Sequence, residues 1–253
     1  MKQIRIETGN DIIDFSLPEE WNELSNPQLY FLIRLLGKNV SAEEVKLKMF
    51  LKSVDGKIKK RNTDGSFRTF FGKKRVDLLS SEVVAIGKCF DFLFMTVSGQ
   101  VQVNPEITRN RLPRIRSFFS VLHGPDDGLT NLKYSEFAEL QVAHGDRDMD
   151  AFFSILYRTN KKHVKRIPKI KKTLVVWFYL GCLSRLRDLF PHVFQSDGSG
   201  EATSPADGQM RIIDALAKND VTKKEAVRNS DLYEALYTME IAAEQYEEMK
   251  KKK

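Results

Sequence analysis

Two short runs rich in β-branched and aromatic residues, 3–8 and 12–16, begin the chain and are joined through Gly9, Asn10 and Asp11. That pattern predicts a β-hairpin. Past residue 16 the apolar spacing lengthens to helical. Pro18 at a first-turn position, acids at Glu19 and Glu20, and Trp21 and Leu24 three residues apart predict a helical segment over 17–24. Ser25 with Gln28 has the form of a capping box, in which a hydroxyl accepts a backbone N–H and the amide reaches back. It predicts a helix to about Leu36, stopped by Gly37. Ser41 with Glu44 repeats the device ahead of Val45, Met49 and Phe50, so a helical hairpin follows. Runs at 58–61 and 67–71 flank Thr63, Asp64 and Gly65 and predict a small basic, aromatic β-ribbon. Ser80 and Ser81 then offer a cap for a helix over 82–95, with Val83, Ile86, Phe90 and Leu93 on one face.

Between 98 and 127 the chain is punctuated by Gly99, Pro105, Pro113, Gly124 and Pro125, which reads as strands or extended linker and marks a boundary region. The division expected is an α+β region over 1–127 and a helical region over 128–253. In the latter, helices are expected over 134–144 and 149–157. A basic linker follows, and then a long apolar helix opened by Pro168 with Leu174, Trp177, Phe178, Gly181, Cys182, Arg185 and Leu189 near one face. Residues 195–208 have the composition of a flexible loop, and a helix is expected over 210–218. Thr222 with Glu225 caps a further segment. The last helix carries Leu232, Leu236, Met239, Ala243 and Tyr246 opposite a Glu-rich face. The fold class is mainly α with minor β, an α+β chain: a helical bundle with an N-terminal hairpin and the basic ribbon.

Composition narrows the function classes. With 253 residues, 42% hydrophobic and 30% charged, the chain can bury one large core or two modest ones. Its two cysteines lie in apolar runs and suggest buried thiols in a reducing compartment. No apolar stretch approaches the roughly 20 residues of a membrane span, and the first residues lack the apolar core of a signal peptide. The formal charge of +7 is gathered at 57–61, 73–75, 109–116 and, most heavily, 158–172. Within 158–172 stand eight Lys or Arg and no acid, which reads first as a solvated linker or a contact for an acidic protein; the alternative is a nucleic-acid-binding module in which Lys161, Lys162, Lys165 and Arg166 form the phosphate-binding surface.

Reaction motifs are missing. Neither a P-loop nor a dinucleotide-binding glycine pattern occurs. Asp146, Asp148 and Asp150 match the start of a calcium loop, yet Ala151 and Tyr157 replace its glycine and its bidentate glutamate. His123, His144, His163 and His192 never pair at metal-ligand spacing. These patterns lead us to expect no catalytic residue, no metal and no cofactor.

Several segments carry a family resemblance: SLPEEWNELSNPQLYFLIRLL, LTNLKYSEFAEL with FFSILYR, LFPHVF, and DLYEALYTMEIAAEQYEEMKKK. Together they resemble tailed-phage and prophage proteins of Bacteroidetes bacteria that are similar in organisation to tail assembly chaperones. In that family Thr or Ser usually precedes the x-x-E-F helix; here Lys133 stands there, with Glu136 and Phe137 kept. The resemblance implies a non-catalytic morphogenesis protein in the host cytoplasm. Its partner would be the long, apolar tape-measure protein, kept soluble until the tail tube assembles. Trp21, Leu24, Phe137, Leu140, Phe152, Phe153 and Leu156 are the candidate partner-binding residues, with core packing as the competing reading.

Overall fold

The computed structural model describes residues 1–8, 11–38, 40–116, 121–194, 213, 217 and 220–251. The expected flexible loop at 195–208 lies outside these residues. So do the hairpin residues Gly9 and Asn10 and, apart from Ile213 and Ala217, the helix expected over 210–218. Helices predominate and every strand pairing is antiparallel, so the chain is α+β with helix in the majority. It forms two compact units, Met1–Ile107 and Thr108–Lys253, divided inside the Pro- and Gly-punctuated stretch.

In the first unit β1 (Lys2–Thr8) pairs with β2 (Asp11–Leu17), from Lys2 opposite Leu17 to Thr8 opposite Asp11. The helix expected over 17–24 is not formed; only a 3-10 turn, Trp21–Glu23, appears. Glu23 accepts the backbone N–H of Glu19 at 2.7 Å, and Ser25 already starts the next helix, which leaves no length for another turn. Helix α1 (Asn26–Leu36) begins as expected, with Gln28 accepting the Ser25 N–H at 2.8 Å. Gly37 ends it at φ −74°, a right-handed conformation open to any residue. Helix α2 (Ala42–Ser53) starts where Ser41 accepts the Glu44 N–H at 3.2 Å.

Strands β3 (Gly56–Arg61), β4 (Phe67–Phe71) and β5 (Lys74–Leu78) make a three-stranded sheet rather than a two-stranded ribbon. Its inner face carries Thr69, Phe71, Val76 and Leu78, all buried. Phe71 meets Phe15 and Phe50 at centroid distances of 5.0 and 6.1 Å.

The helix expected over 82–95 is also corrected. Helix α3 spans Ser80–Gly87, capped at Leu79 by Glu82, a 3-10 segment covers Lys88–Leu93, and β6 (Phe94–Val97) pairs with β7 (Gln100–Val103). Ser98 and Gly99 between them take φ +49° and +77°, the left-handed pair that closes a two-residue hairpin. That turn draws Phe94–Val97 into a strand although the apolar spacing before it is helical.

The second unit holds β8 (Arg114–Arg116) paired with β9 (Val121–His123), then α4 (Tyr134–Gly145), α5 (Met149–Leu156), α6 (Lys161–Val164), α7 (Lys169–Leu189), α8 (Pro191–Phe194), α9 (Val221–Asn229) and α10 (Leu232–Lys251). Phe152 centres the core, 5.0 Å from the Tyr179 ring and 5.4 Å from that of Phe153. Pro168 caps α7, whose buried face runs through Leu174, Val175, Phe178, Tyr179, Cys182 and Leu186. Trp177 is half-buried there, and Arg185 and Leu189, expected on the packed face, are exposed. On α10 the apolar stripe divides: Leu232, Leu236 and Met239 are buried, whereas Tyr246 is 55% exposed. Among the described residues no helix is long and apolar enough to cross a membrane.

Candidate functional site

Helices α4 and α5 are joined by a tight turn with Arg147 at φ +59°, and Asp148 accepts the Ala151 N–H at 2.9 Å to start the second. Each helix has two apolar stripes. The Phe and Leu side chains turn inward, and Ala138, Val142 and Ala143 on α4 with Ala151 and Ile155 on α5 line a groove. Its volume is about 670 Å³, with Arg228 of α9 and Ile213 completing the lining. Glu139, Asp146 and Asp148 stand around it, three carboxylates against one guanidinium. Asp148 is held below the usual carboxylate range by the Ala151 N–H and then by Lys161, whose Nζ is 3.3 Å away, so it stays charged. An apolar floor with an anionic rim suits an amphipathic helix whose flanks are basic.

All seven candidate partner-binding residues are interior. Trp21 and Leu24 are buried in the first unit, where the indole N–H donates to the Phe92 carbonyl at 3.1 Å. Phe137, Leu140, Phe152, Phe153 and Leu156 are buried in the second, none more than 2% exposed. As placed, these side chains pack their own units. The reason is size, because burying the bulkiest apolar groups removes most surface from water. What a size-led reading misses is the second stripe, Ala138 to Val142 and Ala151 to Ile155, each spaced i,i+4 in the sequence.

The basic stretch 158–172 is not the simple linker expected. Asn160 caps the short α6, Val164 and Ile167 are buried anchors, and α7 begins at Lys169. Lys161 and Lys162 are exposed ahead of Val164, and Lys165 and Arg166 are exposed between it and Ile167.

No protein-family model, curated protein or solved structure matches the chain. The groove therefore stands on its own geometry.

One cluster unites residues that the sequence leaves far apart. His192 Nδ1 lies 2.6 Å from Glu240 Oε1, and the same carboxylate accepts the backbone N–H groups of His192 and Val193 at 3.1 and 3.0 Å. Glu244 is 3.8 Å from Nδ1 and Glu247 is 3.9 Å from Nε2. Ligand atoms of His192, Glu240 and Glu244 fall within 4.8 Å of one another, a spacing a cation could bridge. The hydrogen bonds in place make it a cap that ties the start of α8 to α10. Cys182 offers no nucleophile, because burial pushes its thiol up to about 12.

Proposed function

We propose that this protein works by binding rather than catalysis, holding an apolar helical segment of another protein in the groove between α4, α5 and α9. The finer reading is a phage or prophage tail assembly chaperone whose client is the tape-measure protein in the host cytoplasm. The observation that supports it most is the groove itself, an apolar floor of alanine, valine and isoleucine side chains under an acidic rim. The alanines of the floor let a partner helix approach closely, and the rim selects one with basic flanks.

Co-expression with a phage tape-measure protein tests the reading. The client is expected in the soluble fraction with the native chain. It should return to the pellet with Val142→Arg, which puts a charge on the floor without touching the buried stripe. A client equally insoluble with and without the native protein would overturn the chaperone reading.

A further inference from the structure

The register of the three-stranded sheet in the first unit sorts its side chains into rows. Directly paired residues share a face, and alternate residues along a strand return to it. Ile58, Thr69 and Val76 form an inner row, with Thr69 and Val76 buried. The next rows point the other way. Lys57 pairs with Phe70, and Phe70 with Arg75; Lys60 pairs with Arg68, and Arg68 with Asp77. The outer face thus carries four cations, one aromatic ring and one acid.

Lys57, Lys60 and Arg75 are exposed, and Phe70 is half-exposed between Lys57 and Arg75. Cross-strand partners stand about 4.5–5.5 Å apart at Cβ, so a flat ring has a cation on either side within one side chain's reach. The two rows repeat every second residue along β4, about 7 Å apart. A ring to stack on, flanked by phosphate-binding cations, is what single-stranded nucleic acid requires of a protein surface. The stretch 158–172 supplies cations but no aromatic residue of its own.

We propose that the outer face of β3–β4–β5 binds single-stranded nucleic acid, with a base stacked on Phe70 and backbone phosphates on Lys57 and Arg75. Asp77 is the brake on this surface. Its carboxylate lies 2.8 Å from Arg75 Nη2 and 3.3 Å from Arg68 Nε, so it competes with phosphate for both guanidinium groups. Partial neutralisation by Asp77 keeps the face from acting as an indiscriminate polyanion sponge. This site lies in the first unit and is independent of the groove.

The test is fluorescence anisotropy of the full chain with a labelled 15-nucleotide oligo-dT, titrated at several salt concentrations. Lys57→Glu with Arg75→Glu should weaken binding at least tenfold and flatten the salt dependence by about 1.4 in the log–log slope, at about 0.7 for each phosphate no longer neutralised. Phe70→Leu keeps an apolar group at the half-buried position and should cost about tenfold without changing the slope. Asp77→Asn should tighten binding several-fold. Glu substitutions at Lys161, Lys162, Lys165 and Arg166 should change it by less than twofold. The proposal is overturned if the Lys57/Arg75 variant, shown folded by its circular dichroism, binds like the native chain. It is equally overturned if Asp77→Asn does not tighten binding, or if duplex DNA and heparin bind as well as oligo-dT and ignore Phe70→Leu.

Discussion

Arg158 grips Glu136 with two nitrogens at once, Nε to Oε1 and Nη2 to Oε2, both at 3.1 Å. Glu136 also accepts the Lys133 N–H at 3.0 Å, and Arg158 Nη2 donates to the Asn131 carbonyl. One carboxylate therefore caps α4 and anchors the chain leaving α5. This explains how the helix starts cleanly although Lys133 has no oxygen with which to cap it.

Glu136→Ala should lower stability by about 1 kcal/mol, the usual worth of a helix cap, since an exposed ion pair adds little. Glu136→Gln keeps an acceptor for the Lys133 N–H and should lose less. Urea unfolding of both variants checks the order, and equal losses would show that the charge rather than the cap matters.

The His192 and Glu240 pair predicts a pH window. The hydrogen bond that the His192 ring N–H donates to Glu240 raises His192 above its ordinary 6.5, and Glu244 and Glu247 add in the same direction. Burial pushes Glu240 up, but the His192 ring and the two backbone N–H groups outweigh it and leave the carboxyl below its ordinary 4.5. The histidine's contribution is complete below about 6.5 and is lost as pH rises through its raised value; the carboxylate's is complete above about 4.5 and is lost as pH falls through its lowered one. The pair thus stabilises most between those limits. The Tm difference between native protein and His192→Ala should peak there and shrink as pH rises through the histidine's raised value. A difference that grows toward pH 9 would sink the assignment.

Gly124 and Gly145 should respond oppositely to alanine. A Cβ on Gly124 would meet the Tyr157 ring at 2.8 Å. Tyr157 is 2% exposed and its hydroxyl donates to the Leu112 carbonyl at 3.0 Å, so it cannot swing away. Overpacking of this kind costs about 1–3 kcal/mol. Gly145 has nothing within 4 Å of its Cβ position and ends α4, so alanine there should be neutral or stabilising by up to about 1 kcal/mol. Thermal melts of the two variants separate these outcomes.

Thiol titration should find one reactive cysteine in the native chain. Cys89 is half-buried, whereas Cys182 is buried with its thiol pushed up to about 12. Prompt reaction of both with a neutral disulfide reagent would show that the second unit opens readily around α7.

Signals that act over three or four residues were readable in the sequence. The Ser25–Gln28 box, the Ser41 cap and Pro168 all place helix starts where the structure has them. Those decided by distant pairing were not. Residues 88–93 carry helical spacing up to a strand that exists because Phe94 finds Val103 across the Ser98–Gly99 turn. The groove was hidden for another reason: α4 and α5 are apolar on two sides, and only the packed core shows which side lines the groove. The cationic rows around Phe70 likewise depend on strand register, which a count of lysines cannot provide.

The two tryptophans fall one to each unit, Trp21 sealed in the first and Trp177 half-buried on α7 in the second. Each half of the chain therefore carries a built-in optical reporter. Trp177→Phe would leave an emission signal from the first unit alone, and Trp21→Phe one from the second. Whether the halves melt together or in sequence then becomes a question two spectra can answer.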